Sequence, residues 1–150
     1  MAARYSMRTG SVATTAAATK SLWLLNPVTS ALAVVQLGVT FDASTAAQAI
    51  GIELYRTTTL GSPAGSAGTV VKFDPTSQSA DATGLTALTT EPTAVEVLAE
   101  WFVSNTAGLD LQFPLGREPL AAAAGARLGL RYTTPTGVSP NARSYVIWEV

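Results

Sequence analysis

Glu96 and Glu100 are the nearest pair of carboxylates on one candidate segment, and a pair of carboxylates flanking a bond is what glycoside hydrolysis requires. If the segment is extended, positions four apart point to the same face, so the spacing admits that chemistry. The plainer reading is a solvated strand face. Other routes to catalysis are narrower still. The chain has no His, which removes the usual general base, the Ser-His-Asp triad and the commonest zinc ligand. It has no Cys, which removes thiolate nucleophiles, thiolate metal sites and disulfides. A Ser-Lys dyad would have to use Lys20 or Lys72, the only lysines, and both read as solvated or interfacial cations. No Asp-x-Asp pattern marks a calcium loop. The Gly-rich stretch 61–68 lacks the Lys-Ser/Thr of a phosphate-binding loop and reads as a flexible hairpin. The expectation is a chain that is not an enzyme, with no catalytic residues, no metal ligands and no cofactor.

Two further sets of side chains carry recognition rather than reaction. Trp23, Trp101 and Trp148 each lie inside a strand candidate, so core packing is the first reading and a sugar-stacking row the second. Arg127 and Arg131 share one face of a strand, positioned to pair with acids across the sheet or across a subunit boundary.

The elements that position these groups read as β throughout. Val35, Leu37, Val39 and Phe41 alternate with Gln36, Gly38 and Thr40, and Ile50, Ile52 and Leu54 alternate with Glu53 and Tyr55. Asn26-Pro27, Asp74-Pro75 and Pro135 with Gly137 end segments. Residues 91–104 fit a capping box at Thr93 and Glu96, but their β-branched and aromatic content in all-β surroundings favours a strand. The last strand, 143–150, is apolar on both faces, which suits a central place in a sheet or a subunit interface. About eight short strands separated by turn residues predict an all-β antiparallel sandwich or jelly roll over residues 21–150. Residues 1–20, small and polar, read as an extended N-terminal arm that orders only against something else.

Composition narrows the class of partner. At 150 residues one domain is expected, large enough to bury a core without cross-links. Apolar residues make up 47% and charged residues only 13%, with a net charge of −1, a thin charge coat that argues for surface covered in an assembly. Basic residues Arg4, Arg8 and Lys20 all precede the first acid, Asp42. Three scattered cations are too few for a nucleic-acid footprint, whereas a basic arm reaching an acidic protein surface fits. The longest apolar run, residues 31–35, is too short to span a membrane, and no apolar stretch follows Arg8 to make a secretory signal.

Four segments, LYRTTTLGSPAG at 54–65, KFDP at 72–75, FPLGREPLAAAAGARLGLR at 113–131 and YVIWE at 145–149, together resemble small virion proteins of tailed bacteriophages. The type is the jelly-roll capsid decoration, or cement, protein. The resemblance covers residues 20–150 and rests on loop and strand patterns. It implies a homotrimer seated on the major capsid protein at the capsid surface of the virion, assembled in the host cytoplasm. Docking would run through the arm, with Arg4, Tyr5 and Arg8 as partner-binding residues and no nucleic acid or membrane involved. A Cys-free chain suits a reducing cytoplasm, and a clamp with several weak contacts gains from avidity. The alternative is a carbohydrate-binding jelly roll or a minor tail protein in host attachment, which expects one of the three Trp side chains exposed in a groove.

Overall fold

A computed structural model describes residues 2–15, 18–42, 47–58, 64–76, 78–122 and 125–150. Parts of the arm, of the Gly-rich stretch and of the Ala-rich run at 120–124 therefore lie outside the described residues. Among the described residues twelve strands follow in chain order: β1 Arg4–Arg8, β2 Thr19–Pro27, β3 Leu32–Phe41, β4 Ala49–Thr57, β5 Ser66–Ala67, β6 Val70–Lys72, β7 Ala82–Thr86, β8 Glu96–Ser104, β9 Leu109–Gln112, β10 Leu120–Ala121, β11 Arg127–Thr133 and β12 Ala142–Glu149. No helix occurs among the described residues. All pairings are antiparallel, and they form two sheets packed as a β-sandwich.

Sheet A runs β10-β3-β12-β1-β6, with β9 also on the outer edge of β3; sheet B runs β5-β7-β2-β11-β4-β8. No strand pairs with its neighbour in sequence, so every ladder closes a long loop, a topology that folds slowly. The alternating runs do place their apolar sides inward: Ile50, Ile52 and Leu54 from β4 meet Leu128, Leu130 and Tyr132 from β11. In β3 a register shift beside Trp148 leaves Val35 as the extra residue. Leu32 and Val34 point inward before it, and Leu37 and Val39 after it. The final strand is central, lying between β3 and β1, and the 91–104 segment forms a strand, β8.

The first residues are placed differently from the arm expected of them. Arg4–Arg8 forms β1, hydrogen-bonded to β12 on one side and to β6 on the other. The five residues alternate, with Tyr5 and Met7 inward and Arg4, Ser6 and Arg8 outward, and that period-two burial is what seats them in a sheet. Tyr5 stacks on Trp148 at 6.0 Å between ring centroids. Met7 reaches the opposite sheet, where a Cβ on Gly68 or Gly84 would collide with its thioether. Beyond β1, Thr9 and Val12 continue along β12, bonding Ser144 and Ala142 through the backbone.

Candidate functional surfaces

The outer face of sheet A gathers the cations that the sequence placed near the N-terminus. Arg4 and Arg8 project from it, whereas Tyr5 faces the core and donates its hydroxyl to the Gln78 carbonyl at 2.9 Å. Arg4 is held by Glu149, directly opposite on β12. Arg8 is exposed, opposite Tyr145. Tyr145 lies across Gly38, which has no side chain to displace it, and its hydroxyl joins Asp110 and Gln36, each at 2.8 Å. Burial first, and then the Asp110 carboxylate, push the Tyr145 phenol above its usual value. Beside it runs a shallow groove of about 390 Å³ whose rim carries Arg8 and Arg143. Arg143 is mostly exposed and only 3.9 Å from Asp42, a loose pair. The groove's lining mixes those two arginines with the Asp110 carboxylate, and it is an open surface rather than an enclosed small-molecule site.

At one end of the sandwich an open cleft of about 1240 Å³ lies between the chain termini and residues 73–81. Two of its carboxylates are Asp74 and Asp81. Asp81 accepts hydrogen bonds from the Thr29 hydroxyl and from the backbone N–H groups of Thr29 and Ser30, and these hold its pKa below the ordinary range. Asp74 does the same for Thr76, with its hydroxyl at 2.6 Å and its N–H at 2.9 Å, and is likewise lowered. Both carboxylates stay ionised: Asp74 caps its own turn, and Asp81 caps the turn at Thr29 and Ser30 between β2 and β3. Neither is raised as a proton donor in general acid catalysis would be. Among the described residues no group of three acids, His or Cys converges on a point where a metal ion would sit.

The outer face of sheet B is roofed. Tyr55 lies across Gly129, and residues 87–95 cross over it, carrying Leu88 and Val95 to close a second apolar cluster with Leu24. The roof is pinned by Glu91, whose carboxylate takes the Ser21 N–H at 2.9 Å and the Ser21 hydroxyl. That hydroxyl is also 2.9 Å from the Tyr55 oxygen. The Arg131 guanidinium lies over the Tyr55 ring and pairs with Glu53. Burial is the main reason the Tyr55 phenol is pushed up to about 12; the Ser21 hydrogen bond and Arg131 oppose that and Glu91 adds to it. A tyrosine, a serine, two acids and an arginine thus meet here, but the tyrosine is fully buried and no substrate reaches it.

The paired carboxylates come apart in the structure. A register shift at Leu54/Tyr55 sets Glu96 opposite Arg56 and Glu100 opposite Glu53. Positions 53 and 56 are on opposite faces of β4, so Glu96 and Glu100 do not share a face. Arg131 finds an acid within its own chain, whereas Arg127 bonds Asn26 at 2.8 Å and its buried Nη1 has no hydrogen-bond partner among the described residues. Trp23 and Trp148 are fully buried, so neither can stack on a sugar, and Trp101 is half-buried against the core. The roof over Tyr55 was not foreseen. Its signal was Leu88 and Val95, two apolar residues spaced through an otherwise polar stretch. No protein-family model, no curated protein and no solved structure matches this chain.

Proposed function

We propose that this chain is a structural virion protein of a tailed bacteriophage, a capsid decoration protein of jelly-roll type that binds and stabilises the shell of major capsid protein as an oligomer. The reading rests on the resemblance of segments 54–65, 72–75, 113–131 and 145–149, and one structural observation carries it further. Polar clusters hold turns and roofs in place, while large apolar side chains such as Phe102 and Leu115 stand in solvent, at 71% and 93% exposure. Such a surface suits contacts with other subunits. The groove on sheet A, whose rim carries Arg8 and Arg143, is the docking face this reading prefers, against an acidic patch of the shell.

The test adds purified protein to shells stripped of it and follows co-sedimentation. Saturable binding is expected, weakened about tenfold or more by the double change Arg8→Glu and Arg143→Glu, since rim charges act mainly on encounter and register. Binding to isolated tails but not to shells overturns the decoration reading. Undiminished binding of the double variant overturns the assignment of the face.

A further inference from the structure

A β-sandwich has four sheet edges, and each open edge is a row of unpaired N–H and C=O groups ready to template another strand. Three of the four edges here are cut short. On one side the sheets end in β5 and β6, two and three residues long, next to Gly68 and Asp74-Pro75. On the other side sheet A ends in β9 and β10, four and two residues long, with Pro114, Gly116 and Pro119 between them. The fourth edge, β8, is nine residues long, contains no Pro, Gly or Lys, and among the described residues has a neighbour on one side only. It also carries exposed apolar side chains, Val97, Leu98 and Phe102. A fold that blunts three edges and leaves the longest one open is keeping that edge for a strand.

We infer that β8 pairs with the β8 of a second copy of this chain, antiparallel, about a two-fold axis passing through Trp101. Three observations select a second copy and this register. First, the chain is nearly neutral, with net charge −1, so two copies repel each other little. Second, a two-fold axis that keeps the inner faces of both sheets on the same side must pass through a residue position. Through Glu100 it would set Glu100 against its own copy and, past the extra residue Leu98, bring residues of opposite faces together, and through Phe102 it would keep only residues 100–104 paired. Through Trp101 it pairs residues 98–104 and avoids the carboxylate clash. Third, the side chains match in that register. Ala99 faces Val103 and Trp101 faces itself, extending the half-buried inner row that already packs on the core. On the outer face each Glu100 sits opposite a Phe102, and the two Phe102 rings meet on the diagonal, within reach of aromatic side chains. The pairing is self-complementary, so it closes as a dimer, whereas a three-fold ring needs a different, head-to-tail surface.

A seven-residue pairing with its flanks is a small interface, so association in the micromolar range or weaker is expected, on the order of what interfaces below about 1,200 Å² give. Sedimentation of the free, full-length protein, alone and as variants, reads it, independently of any shell. In this register Phe102→Glu sets two carboxylates against two Glu100 side chains and weakens dimerisation about tenfold or more, while Phe102→Lys creates two opposite-charge pairs and preserves or strengthens it. The chain has no Cys, so single cysteines report cleanly. Glu100→Cys and Phe102→Cys proteins mixed and oxidised form a cross-linked heterodimer, because the two positions lie directly opposite, while neither variant alone cross-links, because its copies lie on a diagonal too long for a disulfide. A protein monomeric up to about 1 mM, Phe102→Lys and Phe102→Glu weakening association alike, or Glu100→Cys cross-linking to itself would overturn the assignment. Both positions are solvent-exposed, and circular dichroism of each variant confirms that it folds.

Discussion

Each sheet of this sandwich has a tyrosine lying across a glycine on its outer face: Tyr55 over Gly129 on sheet B, and Tyr145 over Gly38 on sheet A. The local arrangement is the same and the surroundings are not. Tyr55 is roofed by residues 87–95, pinned through Ser21 and Glu91, and fully buried. Tyr145 is held by Asp110 and Gln36 and opens onto the groove rimmed by Arg8 and Arg143. The glycine vacates the same space in both. What decides whether the tyrosine belongs to the core or to a surface is a segment that comes from elsewhere in the chain.

The strongest way to break the comparison is to remove the strand on which the open face is laid. Deleting residues 2–9 takes out β1, its ladders to β12 and β6, and the buried Tyr5 and Met7. Two such buried side chains alone contribute several kcal/mol, on the order of the whole stability of a domain, so the truncated chain is expected to lose its cooperative thermal transition. A truncated protein that melts like the full chain would mean that β1 is an accessory.

The two glycines sharpen the comparison next. Gly129→Ala pushes a Cβ into a ring that cannot leave, and an overpacking cost of about 2–3 kcal/mol is expected in denaturant titration. Gly38→Ala meets a ring whose outer side is solvent, so Tyr145 swings away at a cost below about 1 kcal/mol. Equal costs would show that the roof does not confine Tyr55. The hydroxyls should follow at smaller scale: Tyr55→Phe removes a buried partner of Ser21 for about 1–2 kcal/mol, and Tyr145→Phe stays within about 0.5 kcal/mol.

Titration gives the smallest contrast. Burial pushes the phenols of Tyr55 and Tyr132 up to about 12 in the folded state, against about 10 for a free phenol. Between those values the folded chain holds protons that the unfolded chain has released. The stability these groups contribute is therefore complete below pH 10 and is lost as pH rises from 10 toward 12. Absorbance at alkaline pH should show Tyr55 and Tyr132 ionising late and together with unfolding. Tyr55 and Tyr132 ionising near 10 in a folded protein would contradict the roof and the core alike.

Much of the scaffold was legible because it depends on a period of two. The runs at 35–41 and 50–54 follow from which side chains alternate, the strand within 91–104 from its β-branched and aromatic content, and the central last strand from apolar residues on both faces, properties each segment carries by itself. Residues 1–20 read as an arm because their composition is small and polar, and it is the two flanking strands that make Arg4–Arg8 a strand. Glu96 and Glu100 were placed on one face by counting, and the register shift at Leu54/Tyr55 separated them, because a bulge reverses the faces beyond it. The roof over Tyr55 was hidden for a related reason: Leu88 and Val95 have no periodic neighbours, and their partners lie in β2 and β4.

The amino-acid sequence by itself determined the β class, the inward side of most strands, and the absence of imidazole and thiol chemistry, since these depend on residue type and local alternation alone. Tertiary structure decided which tyrosine is roofed, which acids have partners, which edge is left open and what the first residues do. Each of those depends on contacts between segments far apart in the chain, and no local pattern specifies which distant backbone will arrive beside it.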